Sequence, residues 1–222
     1  MMQQRPFTTA AATPIPALRK PAMILEASEC QLILIDHQGR LMPAIHEGER
    51  VLQRARTLAQ VAKILQIPAI GTEQNAAKLG PMDPQLRDLC ASVLPKLSFS
   101  ACRDGLVDLV DTAGKPRPSP NARSIPKHLQ KPVENARTHL VLAGCEAHVC
   151  LLQTALDLLD TDEFAVSVVT DACGSRSVVD RDAAFDRLAG AGAQLITTEM
   201  AAFEWLGSSE HPRFKAVLEL IK

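Results

Sequence analysis

His139–Asp160, HLVLAGCEAHVCLLQTALDLLD, is the stretch whose reading decides the fold. HLVLAG is a short apolar run closed by Gly144, the pattern of a strand buried on both faces. From Val149 onward Leu151, Leu152, Ala155, Leu156, Leu158 and Leu159 recur at helical spacing. The stretch therefore reads as strand, tight turn and helix, and Cys150 falls near the first helical turn, beyond the carboxyl end of a central strand. Ligands bind at such places in open α/β sheets. A helix N-terminus also favours a thiolate, which predicts a lowered thiol pKa and a nucleophilic Cys150.

The same alternation extends in both directions. Upstream, Gln31–Ile35 reads as a strand ending at Asp36, Glu49–Leu65 as an amphipathic helix, IPAIGTEQ from Ile67 as a second strand, and Leu94–Phe99 as a short third strand carrying Lys96. A short helix lies between the prolines that follow the second strand, and Arg103–Asp111 reads as helical. Downstream come a strand over Phe164–Thr170, a helix to Leu188 with Ser177 and Asp180 as a capping box, a last strand over Gln194–Thr197, and closing helices over Glu199–Leu206 and Arg213–Ile221. Strands that alternate with helices predict an α/β fold: a doubly wound, mainly parallel six-stranded sheet with helices on both faces. The GAG at 190–192 follows a helix rather than a strand, so it is no dinucleotide fingerprint.

Residues 28–222 read as one domain, and 222 residues suffice for a substantial core. Residues 1–27, rich in Ala, Thr and Pro, read as a flexible or surface-draped extension, with a transit peptide as the other reading. Residues 113–134 form a Pro-rich basic insertion, read as a solvated loop or as a basic lip for an anionic partner. A formal net charge of −1 gives no whole-chain reason to expect nucleic acid or an anionic membrane. No apolar run is long enough to span a bilayer. Six cysteines at uneven spacings, several in apolar runs, suggest reduced thiols and a cytoplasmic protein.

Asp36, Lys96 and Cys150 each stand at the end of a separate strand, and such positions converge on the crevice of a doubly wound sheet. Chemically, Asp36 can take the thiol proton, Lys96 can hold the charge, and the sulfur can attack a carbonyl, with backbone N–H groups of the turn receiving the oxyanion. Each residue also has an ordinary role: a core thiol, a turn-forming Asp, a solvated Lys. Cys145, directly after Gly144, competes as the reactive thiol. No GxSxG, HExxH or CxxC is present, so the serine-hydrolase and zinc readings lack support.

LILIDHQ, PKLSFSA, GCEAHVCLLQTALDLL and SRSVVDRDAAFDRLAGAGAQLITTE together resemble the isochorismatase-like cysteine hydrolases, a superfamily that includes nicotinamidases and N-carbamoylsarcosine amidohydrolases. TEQN and the closing TTEMAAFEWL…HPRFKAVLELIK are most similar to the isochorismatase domain-containing subgroup. The resemblance implies a catalytic triad of Asp36, Lys96 and Cys150, a cis peptide between Cys145 and Glu146, and an oxyanion hole made by the backbone amides of Glu146 and Cys150. It implies hydrolysis of a small amide or related C–N bond through a thioester. Nicotinamidases commonly hold a metal after the second strand; TEQNAAKLGPMD lacks the histidine, so no metal and no cofactor is expected. Gln38, Glu73, Gln74, Phe99 and His148 are expected to line the pocket, which suggests a small polar ligand. Homo-oligomers are common among the relatives, and Phe203, Trp205 and Phe214 could supply the contact. Other readings are a non-enzymatic binding protein and a thiol sensor pairing Cys150 with Cys145.

Overall fold

The computed structural model describes residues 24–110 and 137–222. The expected Pro-rich insertion at 113–134 lies outside the described residues, as does the expected extension up to residue 23. One six-stranded sheet is built from β1 (Cys30–Ile35), β2 (Ala69–Gln74), β3 (Ser92–Lys96), β4 (His139–Gly144), β5 (Ala165–Val169) and β6 (Gln194–Ile196). Their order is β3-β2-β1-β4-β5-β6, and every adjacent pair is parallel. The chain winds outward from β1 to β3, then returns to lay β4 on the other side of β1. The strand order therefore reverses between β1 and β4, and in open α/β sheets the carboxyl edge at such a reversal is where ligands bind.

The sequence explains the depth of each strand. All six residues of β1 and all six of β4 are buried, as central strands covered on both faces require. β3, at the edge, is more open and tolerates Pro95, whose missing N–H a central strand could not spare. Alternation along β3 exposes Pro95 and turns Lys96 inward.

The long helix α1 (Gly48–Ile64) buries Val51, Leu52, Ala55, Leu58, Ala59 and Ala62, a single face at helical spacing. Three short helices, α2 (Ala76–Leu79), α3 (Pro84–Arg87) and α4 (Leu106–Leu109), lie between β2 and the end of the first described segment. After β4 come a π turn (Ala147–Leu151), α5 (Leu152–Asp160), α6 (Val178–Gly190), α7 (Thr198–Leu206) and α8 (Phe214–Ile221). α1 packs with α7 and α8, and α5 with α6, giving helical layers on both faces of the sheet. Ser177 is the N-cap of α6, but its side chain caps nothing, so the expected capping box does not form. Among the described residues no helix is long and apolar enough to cross a membrane.

Candidate active site

The carboxyl ends of β1, β2, β3 and β4 bring the chemistry together. Asp36 directly follows β1 and has φ +51, a left-handed conformation that Asp tolerates better than most side chains. Thr72 of β2, level with Ile35 in the sheet, accepts from Asp36 N–H at 3.3 Å and donates its hydroxyl to Asp36 Oδ1 at 2.6 Å. Asp36 Oδ2 lies 2.7 Å from Lys96 Nζ, and neither side chain has any solvent exposure. The ammonium sits off the direction of a good hydrogen bond to Oδ2, so that this oxygen keeps a lone pair unused.

Lys96 Nζ also reaches Gln74 Oε1 at 2.6 Å, Phe99 O at 3.1 Å and Ser98 O at 3.3 Å. The three ammonium protons thus have three hydrogen-bond acceptors, with Asp36 as the ion-pair partner. The Cys150 sulfur completes the cluster at 3.9 Å from Gln74 Oε1, with Asp36 and Lys96 both acting on the thiol. Gln74 is locked in place: its Nε2 donates to Leu97 O at 2.8 Å and its backbone N–H to Gln38 Oε1 at 2.9 Å.

Burial pushes the Cys150 thiol up to about 12; the Asp36 charge adds to the rise, and Lys96 opposes it. The expectation of a lowered thiol pKa is thereby corrected. A helix N-terminus contributes only about 0.3–1 kcal/mol near a charge. Removing a thiolate from water beside a carboxylate outweighs that. Cys150 rests as a neutral thiol beside a carboxylate–ammonium pair.

The turn before Cys150 has its own geometry. The Cys145–Glu146 peptide is cis. The π turn moves the first long helical bond by one residue: Leu151 N–H, not Cys150 N–H, closes on Glu146 O at 3.3 Å. Cys150 N–H is thus released from the bond an α-helix would give it. Among the described residues Glu146 N–H makes no backbone hydrogen bond outside the helices and strands. The Glu146 side chain turns aside to Arg176, which donates from Nε at 2.9 Å.

Of the residues expected to line the pocket, the structure brings Gln74 to the sulfur and leaves Phe99 about half exposed, its carbonyl on Lys96. His148, half-buried, shares a 3.0 Å hydrogen bond with Ser175 Oγ. Gln38 serves the backbone instead, with Nε2 on Gln74 O at 3.1 Å and Gly80 O at 2.6 Å. Glu73 does not join the cluster. Its neighbour Gln74 faces Lys96, so strand alternation sends Glu73 to the other side, where it binds Met82 N–H and Arg87. Cys145, fully buried, has its N–H on Ile35 O and a thiol held well above its ordinary pKa, mainly by burial. All six cysteines are free thiols. Among the described residues no group of three or more His, Cys, Asp or Glu is placed to hold a metal. Thr72 is the residue that sequence reasoning missed; a lone hydroxyl at the end of an apolar strand, next to the strand that ends in Asp36, was the available signal.

Residues 30–200 match the family model for the isochorismatase domain. The chain is 36% identical over 208 residues to isochorismatase domain-containing protein 2 of Bos taurus, covering 93% of this chain and 90% of that protein. It is similar to the solved structure of MAR1 ribonuclease from Caenorhabditis elegans, with 32% identity, a TM-score of 0.74 and 89% of this chain and 92% of that one covered. It is likewise similar to the YcaC gene product of Escherichia coli, an octameric hydrolase of unknown specificity, with 26% identity, a TM-score of 0.73 and 90% of each chain covered.

Proposed function

This chain belongs to the isochorismatase family, and on that premise we propose that it is a cysteine hydrolase that cleaves a small amide or related C–N bond. The observation that carries the reading is the sealed cluster of Asp36, Lys96 and Cys150, contributed by three strand ends far apart in the chain. Asp36 Oδ2, with its unused lone pair, takes the thiol proton as the sulfur attacks the carbonyl carbon. No standing thiolate is required, because the proton leaves while the C–S bond forms. The oxyanion is received by the N–H groups of Glu146 and Cys150, the second of which does not close on Glu146 O as it would in an α-helix. Lys96 balances the Asp36 charge and Thr72 fixes the carboxylate plane. Asp36 then returns its proton to the departing nitrogen, so the amine leaves neutral and a thioester remains. Water, deprotonated by Asp36, attacks the thioester, and the acid departs as the thiol recovers its proton.

Free thiols throughout support a reducing, cytoplasmic setting, and the octameric E. coli relative supports a homo-oligomer. The ribonuclease named among the structural relatives raises RNA as another substrate; a net charge of −1 offers it no general attraction. The test is a panel of small amides, ureas and a short RNA offered to the wild type and to Cys150→Ala. Amine or ammonia released by the wild type alone is the expected result. Turnover that survives in Cys150→Ala, or cleavage of RNA alone, would contradict the proposal.

A further inference from the structure

The turn that leads to the sulfur is held from outside by a second segment. Residues 174–176 follow β5 and its 3-10 turn (Thr170–Ala172) and run beside residues 144–148. Gly174 N–H donates to Gly144 O at 3.2 Å, and Gly174 forms a parallel bridge with Cys145. Gly174 O accepts from Ala147 N–H at 2.7 Å. Ser175 Oγ shares its 3.0 Å hydrogen bond with His148 Nδ1. Arg176 closes the series, donating from its backbone N–H at 3.2 Å and from Nε at 2.9 Å, both to Glu146 Oε2. Each residue from 144 to 148 is thus met by this strap.

The strap is itself backed by the fold. A Cβ on Gly174 would lie 2.5 Å from Ile45 Cγ2 and 3.2 Å from Val51 Cγ2, so the backbone there is pressed against α1 and the loop before it. Ser175 is buried, and its carbonyl accepts from His46 N–H at 2.9 Å. Arg176 differs: its side chain is 64% exposed, against 12% for that of Glu146. The arginine side chain can therefore be replaced without opening the core.

Glu146 supplies one of the two N–H groups that receive the oxyanion in the hydrolase reading. Its N–H and its side chain leave the same residue, so a carboxylate gripped by two donors limits rotation of the peptide plane beside it. Groups that meet a transition state must be held to within about 0.5 Å of their working place by such supporting bonds. Resting on the hydrolase reading, we propose that Arg176 is a positioning residue: by gripping the Glu146 carboxylate it aims the Glu146 N–H at the carbonyl oxygen of the substrate. Asp36 and Lys96 govern the thiol proton, and Arg176 governs the oxygen.

The test compares two reactions of one thiol in the full-length protein, each followed at Cys150 by mass spectrometry. p-Nitrophenyl acetate acylates the sulfur. The C–S bond forms as the thiol proton passes to Asp36, charge gathers on the carbonyl oxygen, and p-nitrophenolate departs with the electron pair of the broken C–O bond. Iodoacetamide reacts at a saturated carbon: the same proton is removed, iodide leaves with the C–I pair, and no charge builds on oxygen. The ratio of the two rates therefore reads the oxyanion amides apart from the thiol. Arg176→Ala should slow acylation about tenfold, short of the roughly 10²–10³-fold that loss of a whole oxyanion donor costs, and should slow iodoacetamide less than about twofold. Arg176→Lys, which keeps a cation for Glu146, should recover most of the acylation rate. Glu146→Ala should match Arg176→Ala, and the double variant should fall no further. Equal slowing of both reactions by Arg176→Ala would mean a merely structural role and would overturn the proposal. Unchanged acylation, no recovery in Arg176→Lys, or additive losses in the double variant would overturn it too. A wild type that iodoacetamide labels at Cys150 but the ester does not acylate there would sink the hydrolase reading and this proposal with it. That outcome is distinct from a wild type acylated no faster than Arg176→Ala, which sinks the proposal alone.

Discussion

Lys96 and Asp36 form an ion pair that water does not reach, and each is held by further hydrogen bonds. Such a pair resists the loss of one partner more than the loss of both, because a single survivor is a charge buried without compensation. Lys96→Met should lower the unfolding free energy by about 3–5 kcal/mol in urea titrations. Asp36→Asn combined with Lys96→Met should recover a large part of that loss. A double variant as unstable as Lys96→Met would show that the pair is not the source of the effect. The residue types of this site were legible in the sequence, since polar side chains at strand ends stand out against apolar runs. The protonation of Cys150 was not legible. It depends on burial and on Asp36, and neither is visible in the residues flanking the cysteine. Glu73 and Gln74 look equivalent as letters, and only the direction of the strand separates the one on Arg87 from the one on Lys96.

At the scale of elements, β4 and the turn behind it set the position of the sulfur. Gly144 leaves no room beside β1: a Cβ placed on it would sit 2.3 Å from Ile35 O and 2.6 Å from Ile35 Cβ. Gly144→Ala must therefore part β1 from β4 at their carboxyl ends, and should cost about 1–3 kcal/mol in stability. The same substitution should slow labelling of Cys150 more than that of Cys90, which lies away from the turn. Equal slowing at both cysteines would count against a local effect. The existence of β4 and α5 was readable from hydrophobic spacing; β4 fell on its expected limits, and α5 begins three residues after Val149. The π turn between them was not readable, because residues 147–151 carry a pattern that an α-helix would satisfy equally well. Ser177 shows the reverse failure: the capping pair is present in sequence, but the N-cap hydroxyl makes no bond to the helix.

Across the whole molecule, the reversal of strand order is what turns three distant positions into one crevice, and strand–helix alternation made that topology legible. The same burial that builds the core also ties stability to pH. His37 and His139 are held down to about 4 by burial, against an ordinary value of 6.5. The unfolded chain takes up protons below 6.5 that the folded protein refuses until about pH 4, so the contribution is complete above 6.5 and is lost as pH falls through this window. The loss is on the order of 3 kcal/mol for each histidine, and His139→Asn should make the fall in urea midpoint between pH 6.5 and 4 markedly shallower. An unchanged slope would contradict the assignment to that residue. The central claim, that Asp36 takes the proton of a neutral Cys150 thiol across the crevice, is tested most directly by the rate of iodoacetamide labelling at Cys150 as a function of pH. In the wild type, base assistance predicts a rate nearly independent of pH between about 6 and 9, and in Asp36→Asn a slower rate that climbs about tenfold per pH unit, as a thiol needing prior ionisation must. A wild-type rate that climbs with the same slope as Asp36→Asn would contradict the account.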